Sequence, residues 1–315
     1  MYQKRKIRKE KRENSNQNEK FHKVVLNWYP GHMAKTRRQI SEDLKLVDIV
    51  VEVLDARIPL SSRNPDINRI ITNKKRVVVL NKSDLSDEKQ NLKWVKYFKD
   101  NDVEAVLVDS KTGKGINESL SMIKSIYAEE QSKFENKGRV GKSIRIMVIG
   151  IPNVGKSSYI NRLTKKTSAK VGNKPGVTTQ KQWIKVDESI ELMDTPGVLW
   201  PKFESEEVGL NLSYTGTIKD DVIEPIEVGF QLLKRLCTSY RKNICERYKL
   251  EKEYINSVFS KDLEENEKVL EIMHEIGRKR GALISGGNID EEKTAKILLD
   301  DFRNGNLGKI TLETI

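Results

Sequence analysis

Four short runs of aliphatic and β-branched residues, at 48–54 (DIVVEVL), 76–80 (RVVVL), 103–108 (VEAVLV) and 144–149 (IRIMVI), are spaced through the first half of the chain. Runs that are apolar on both faces need cover on both sides, which a sheet open to water on one face does not provide. The charged stretches between them, such as 87–98 and 117–132, have the length and amphipathic pattern of helices. Strands alternating with helices in this way form a mostly parallel sheet flanked by helices, so the fold class is α/β. Two further runs, 183–186 and 190–193, are separated only by Asp187-Glu188-Ser189 and read as an antiparallel hairpin.

Beyond about residue 203 no comparable strand run occurs. Ile226, Phe230, Leu233 and Cys237 fall at helical spacing, as do Val269, Ile272 or Met273, and Ile276. A last helix is expected over 290–303, with Asp290-Glu291-Glu292 at its positive end and Gly305 past its close. With 315 residues the chain has room for about two domains of roughly 150 residues each. We divide it into a basic arm at 1–24, an α/β domain at 25–205 and an all-helical domain at 206–315. The arm has no apolar period and cannot bury enough surface to offset its ordering entropy. It reads equally as a solvated tail or as a flexible arm on a nucleic acid.

The formal net charge is +12, and Lys234-Arg235, Arg241-Lys242 and Arg278-Lys279-Arg280 form basic clusters in the helical part. A basic surface is drawn to phosphate backbones because each neutralised phosphate releases a counterion, so a nucleic acid is the expected partner class. A solvated helix face would carry the same clusters. No apolar stretch approaches the ~20 residues that cross a bilayer, and the basic start lacks the apolar core of a signal sequence. Two cysteines, Cys237 and Cys245, are too few for a disulfide framework. The expectation is a monomer in the cytoplasm, with no membrane partner.

Gly150-Ile151-Pro152-Asn153-Val154-Gly155-Lys156-Ser157 fits G-x-x-x-x-G-K-S and lies between the run at 144–149 and a helix-like stretch at 157–163. That is the strand–loop–helix setting the motif requires. The glycines let N–H groups turn inward around a β-phosphate at the positive end of the helix. Lys156 is expected to bridge the β- and γ-phosphates and Ser157 to ligate Mg2+, with Asn153, Val154, Gly155 and Ser158 lining the nucleotide.

This loop alone does not choose between ATP and GTP. The choice comes from Asn81-Lys82-Ser83-Asp84, at the end of the run 76–80. A carboxylate such as Asp84 accepts two hydrogen bonds from guanine N1 and N2, an edge adenine lacks. Asn81 would support the base and Lys82 cover the ring, with Ser83 in the same turn. Asp109-Ser110-Lys111 closes the next run and resembles a second guanine loop, bringing Ser110 and Lys111 to the base. Asp194-Thr195-Pro196-Gly197 fits D-x-x-G, in which Asp194 would hold Mg2+ through water and the Gly197 N–H would sense the γ-phosphate. Gly176-Val177-Thr178-Thr179 lies where a switch threonine belongs; Thr178 is the first choice for the Mg2+ contact and Thr179 the second.

In an ordinary GTPase the phosphate loop comes first and N-K-x-D near the end; here the order is NKSD, DSK, phosphate loop, PGVTT, DTPG. A rotated order of the same parts implies a circularly permuted G domain. Three more segments add to this: Trp28-Tyr29-Pro30-Gly31-His32-Met33-Ala34-Lys35, Asp55-Ala56-Arg57-Ile58-Pro59, and Gly197-Val198-Leu199-Trp200-Pro201-Lys202-Phe203. With them the chain, from about residue 26 onward, resembles the circularly permuted GTPases of the YlqF/YawG group. The basic arm departs from that pattern.

The resemblance implies GTP hydrolysis in late assembly of the large (50S) ribosomal subunit in bacteria, with rRNA and ribosomal proteins of the precursor particle as partners. The position directly after D-x-x-G, often a glutamine that orients the attacking water, is Val198. The resemblance implies that His32 substitutes, since an imidazole orients or deprotonates water near neutral pH; His32 could instead shape its own turn. It also implies K+ stimulation through Asn153. Asp55 and Arg57 read as a fold-holding ion pair ahead of a catalytic role. The other functional reading is a GTP-regulated RNA-binding module with negligible hydrolysis of its own. The rotated order puts Asp194 to Gly197 only about ten residues before the helical part.

Overall fold

The computed structural model describes residues 40–65, 70–71, 74–132, 143–164, 183–195 and 205–315. The arm at 1–24 and the signature at 28–35 lie outside them. Two compact units are present. One holds the described residues up to Thr195 together with Lys309–Ile315, and the other is Ser205–Gly308.

The first unit is built on six strands, β1 (Ile49–Asp55), β2 (Lys75–Asn81), β3 (Glu104–Leu107), β4 (Ile144–Ile149), β5 (Trp183–Lys185) and β6 (Ile190–Asp194). They lie in the order β3-β2-β1-β4-β6-β5, and only β5 runs antiparallel to its neighbour. Helices α1 (Glu88–Asp100), α2 (Ile116–Ser132) and α3 (Lys156–Thr164) connect or follow them. Paired residues of parallel strands point to the same face. The register therefore puts Val50, Leu54, Val78, Leu80, Ala105, Met147, Ile149 and Met193 on one side of the sheet. There α1 contributes Trp94 and Phe98, while Ile40 and Leu44 pack with Val50, Met147 and Met193. The intervening residues, such as Val51, Val53, Val77, Val79 and Val148, face the other way and are equally buried. That is why the runs show no polar alternation.

Glu52 interrupts the first face. It is buried in mid-strand between Arg63 and Arg76, each 3.4 Å away. Burial raises the Glu52 carboxyl above its ordinary value, against the pull of the two arginines.

The second unit contains α4 (Glu206–Tyr214), α5 (Pro225–Ser239), α6 (Arg241–Tyr248), α7 (Lys252–Ser260), α8 (Glu265–Arg280) and α9 (Glu291–Arg303). Their ends follow capping chemistry. Asp290 accepts from Lys293 N at 2.9 Å, Glu264 and Glu267 form a reciprocal capping box, and Gly281 closes α8 in the left-handed region. Helices α5 and α9 touch backbone to backbone at Gly229 and Ala295. Asp301 anchors the other end of α9, accepting from Arg247, the Tyr248 hydroxyl and Asn306.

Residues Lys309–Ile315 leave the helices they follow in sequence and group with the sheet unit. Ile310, Thr311 and Leu312 are buried there. None of the described helices is long and apolar enough to cross a membrane.

Candidate nucleotide site

Parallel strands end at one edge of a sheet, so motifs far apart in sequence meet wherever their strands are neighbours. Here β1, β2, β4 and β6 are parallel and consecutive apart from order, and their carboxyl ends carry Asp55, Asn81, Gly150 and Asp194. The rotated motif order therefore leaves the spatial arrangement intact.

Asn81 sits at the centre of that edge. Its Nδ2 donates to the Val154 carbonyl of the phosphate loop at 2.7 Å. Its Oδ1 accepts from Ser110 N at 3.2 Å and Ser110 Oγ at 2.8 Å. One buried amide thus ties the phosphate loop to the DSK loop. Gly155 makes this possible: its φ is +90°, and a Cβ there would collide with the Asn81 amide. Gly150 is similarly confined, with the Val53 carbonyl 2.8 Å from where its Cβ would lie.

Lys82, in the left-handed region at φ 59°, donates from Nζ to the Asn153 carbonyl at 2.6 Å and pairs with Asp55 at 2.9 Å. Asp55 is held in turn by Arg57, whose Nε and NH2 donate to its two oxygens at 3.0 and 2.8 Å. Asp55 and Arg57 are both about 1% exposed and form a fold-holding ion pair. Burial alone would raise the Asp55 carboxyl, but Arg57 and Lys82 together hold it well below the ordinary carboxylate range. Burial pulls the Lys82 ammonium below the usual lysine range, against Asp55.

Asp84 projects from the exposed side of the turn. Desolvation and then the charge of Asp109 push its carboxyl above the ordinary value. Asp109 folds its own loop, accepting from Thr112 Oγ1, from Lys111 N at 2.8 Å and from Thr112 N at 3.2 Å, bonds that together outweigh its burial and lower it. The loop ends at Gly115, in the left-handed region, where a Cβ would collide with the Leu107 carbonyl. Arg162, near the end of α3, donates to the carbonyls of Ser110 and Lys111.

Lys156 is buried at the start of α3, followed by the half-buried Ser157 and Ser158. Asp194 closes β6 opposite Val148 of β4, and Thr195 Oγ1 donates to the Val148 carbonyl at 2.8 Å. This brings the DTPG segment alongside the strand that feeds the phosphate loop. His32, Thr178, Thr179, Gly197 and Val198 lie outside the described residues. Among the described residues no cluster of His, Cys, Asp and Glu could hold a metal by itself.

Arg162 was not singled out by sequence, and the segment Lys309–Ile315 was expected with the helical domain. It runs between the turn after β1 and the turn after β2. Ile310 N donates to the Leu85 carbonyl at 3.0 Å and Leu312 N to the Arg57 carbonyl at 2.8 Å.

A P-loop α/β fold whose guanine-reading strand precedes its phosphate loop is a circularly permuted GTPase. Ribosome biogenesis GTPase A of Bacillus cereus is 46% identical over 291 residues, covering 92% of this chain and 94% of that protein. The chain belongs to the ribosome biogenesis GTPase A family. The protein of that name from Bacillus licheniformis is 44% identical over 290 residues, 92% of this chain and 98% of its own. The family model for 50S ribosome-binding GTPase matches residues 145–269. That match begins inside β4, leaving the strands with NKSD and DSK ahead of it, as a rotated order requires. Among solved structures the fold is similar to GNP-bound YlqF from T. maritima, with a TM-score of 0.57 and 24% identity, over 89% of this chain and 98% of that one.

Proposed function

We propose that this chain is a nucleotide-switched assembly factor: it binds GTP at the carboxyl edge of the sheet, associates with the precursor of the 50S ribosomal subunit, and leaves on hydrolysis. The observation that carries the reading is the Asn81 amide, bonded to both Val154 and Ser110. It joins a phosphate loop to a guanine loop, an arrangement that serves a guanine nucleotide and little else. Further support comes from the relatives named for ribosome biogenesis and from the net charge of +12, which suits rRNA.

In this reading Asp84 accepts from guanine N1 and N2, with Asn81, Lys82, Ser83, Ser110 and Lys111 around the base. The N–H groups of 153–158 and the Lys156 ammonium take the phosphates. Mg2+ suits the oxygen donors available, the Ser157 hydroxyl, the Asp194 carboxylate through water, and Thr178 or Thr179, and would supply charge neutralisation at the γ-phosphate. Asn153 offers an amide oxygen for K+. The γ-phosphate is sensed at Gly197. Val198 cannot align water, so His32 orients it once a particle positions the 28–35 segment. The chain acts as a monomer in the bacterial cytoplasm.

The test is GTP turnover by the full chain with and without 50S precursor particles, together with co-sedimentation under a GTP analogue, GDP and no nucleotide. The expected result is stimulated turnover and GTP-dependent association. Association without any stimulation would instead favour a GTP-regulated RNA-binding module. Unchanged stimulated turnover in His32→Ala would remove His32 from catalysis.

A further inference from the structure

We propose that Lys309–Ile315 is a strap that positions the guanine loop, with Glu313 as the positioning residue that fixes it; the proposal rests on the reading of Asp84 as the guanine acceptor. Asp84 is exposed on a turn, so its aim depends on whatever holds residues 82–87. Inside the turn, Leu85 N donates to the Lys82 carbonyl at 2.9 Å, and Ser83 N donates across to the Val108 carbonyl after β3 at 3.1 Å. Ser86 Oγ donates to Asn91 Oδ1 at 2.7 Å. The strap adds further bonds to the turn and to the helix that follows it. Ile310 N reaches the Leu85 carbonyl at 3.0 Å, Asp87 N donates to Thr311 Oγ1 at 3.0 Å, and Trp94 Nε1 donates to the Glu313 carbonyl at 3.0 Å. Lys309 pairs with Glu88 at the start of α1.

The other side of the strap is fixed to the turn after β1. Leu312 N donates to the Arg57 carbonyl at 2.8 Å. The Glu313 carboxylate accepts from Leu60 N at 2.6 Å, from Ser61 N at 2.8 Å, and from Ser61 Oγ. Charge-assisted bonds of this kind are about twice as strong as neutral ones, and three converge on one side chain. Arg57 is also the residue that holds Asp55, which holds Lys82. The strap therefore joins the two ends of a chain of contacts, Arg57–Asp55–Lys82 on one side and Leu85–Asp87 on the other, with Asp84 between them. A purely local turn needs no such link. Seven residues that follow the helical unit in sequence are thus part of the guanine loop's frame.

The experiment compares GDP with IDP, whose base lacks the N2 amino group, by equilibrium binding and dissociation rate on the full chain. Hypoxanthine offers Asp84 one hydrogen bond where guanine offers two, so the GDP/IDP affinity ratio reads the aim of Asp84 while the phosphate contacts cancel. In Glu313→Gln one oxygen of the carboxylate becomes a donor facing donors. GDP affinity should fall about tenfold and IDP affinity by less, so that the ratio shrinks. Unchanged affinities, or losses by the same factor for both, would overturn the proposal. Should Glu313→Gln fold poorly, a chain ended after Gly308 is assayed with a synthetic peptide of residues 309–315. Recovery of the GDP/IDP ratio with added peptide supports the strap, and binding of the peptide without recovery overturns it. Asp84→Asn separates the two readings. If Asp84→Asn keeps the wild-type ratio, the assignment of Asp84 itself fails. If Asp84→Asn loses the ratio and Glu313→Gln keeps it, the strap alone fails.

Discussion

The side-chain amide of Asn81 occupies the space that a Cβ on Gly155 would need. A residue read from sequence as a support for the base is thus also a staple, and the glycine that admits it belongs to a motif 70 or so positions away. The two motifs constrain each other sterically as well as through the shared nucleotide.

Gly155→Ala should therefore fail twice over. An L side chain at φ +90° is strained by roughly 1–2 kcal/mol, and displacing Asn81 gives up its bond to Val154 O, worth on the order of 1 kcal/mol. Together these predict a loss of about a hundredfold in GDP affinity, measured by calorimetry. Binding within a factor of two of wild type would contradict the staple.

Asp55→Asn probes the ion pair beneath the same loop. It leaves Arg57 buried and Lys82 half-buried, both without their carboxylate, at a cost of about 3–5 kcal/mol. Its pH dependence has a definite sign. The Asp55 carboxyl is depressed in the folded state, so its contribution is fully present above the unfolded value of about 3.9 and drains away as pH falls below that. The stability gap between wild type and Asp55→Asn should be flat from pH 8 to about 5 and narrow under pH 4. Urea titrations at several pH values decide it; a gap that closes near pH 6 would rule out this carboxyl as its source.

The strands and the phosphate and guanine loops were legible because their chemistry is written locally. A run such as 76–80 ending in NKSD predicts both a buried strand and a ligand-facing turn, and β2 (Lys75–Asn81) is where that run lies. Helix ends followed the same logic: the stretch expected at 87–98 is α1, Glu88–Asp100, with Asp87 as the cap accepting from Gln90 N. What sequence could not express is long-range donation to main-chain carbonyls. Arg162 and Ile310 bond carbonyl oxygens 51 residues and more away, and a carbonyl has no residue identity to pattern against. Hence the residues after Gly308, expected with the helical domain, have their partners in the sheet unit.

Arg162 supplies a milder test of the guanine loops. Its guanidinium is exposed but donates to two consecutive carbonyls, Ser110 and Lys111. Removing an exposed donor pair should cost about 1 kcal/mol. Arg162→Met is expected to raise the GDP dissociation rate about fivefold with little change in melting temperature. Stopped-flow release of a fluorescent GDP measures it. An unchanged rate would mean that the Asp109 turn holds Ser110 and Lys111 unaided.

The helical unit offers a case in which two opposing effects must be weighed. Gly229 lies inside α5, where alanine would ordinarily be favoured by about 1 kcal/mol. The Cβ it would add falls 2.6 Å from Ala295 Cβ and 2.8 Å from Ala295 Cα on α9, and backbone cannot step aside as a flexible side chain can. Relieving that overlap requires the two helices to part by about an ångström, at roughly 1–3 kcal/mol. Packing outweighs propensity, and Gly229→Ala should destabilise by up to about 2 kcal/mol. Ala295→Gly in the same chain should recover only a small part of that loss, because it removes the colliding Cβ but leaves the Cα at 2.8 Å and gives up about 1 kcal/mol of helix propensity at 295. Hydrogen exchange along α5 and α9 in the single and double variants measures both effects. Greater protection in Gly229→Ala alone would show that propensity, not the close approach of α5 and α9, governs this position.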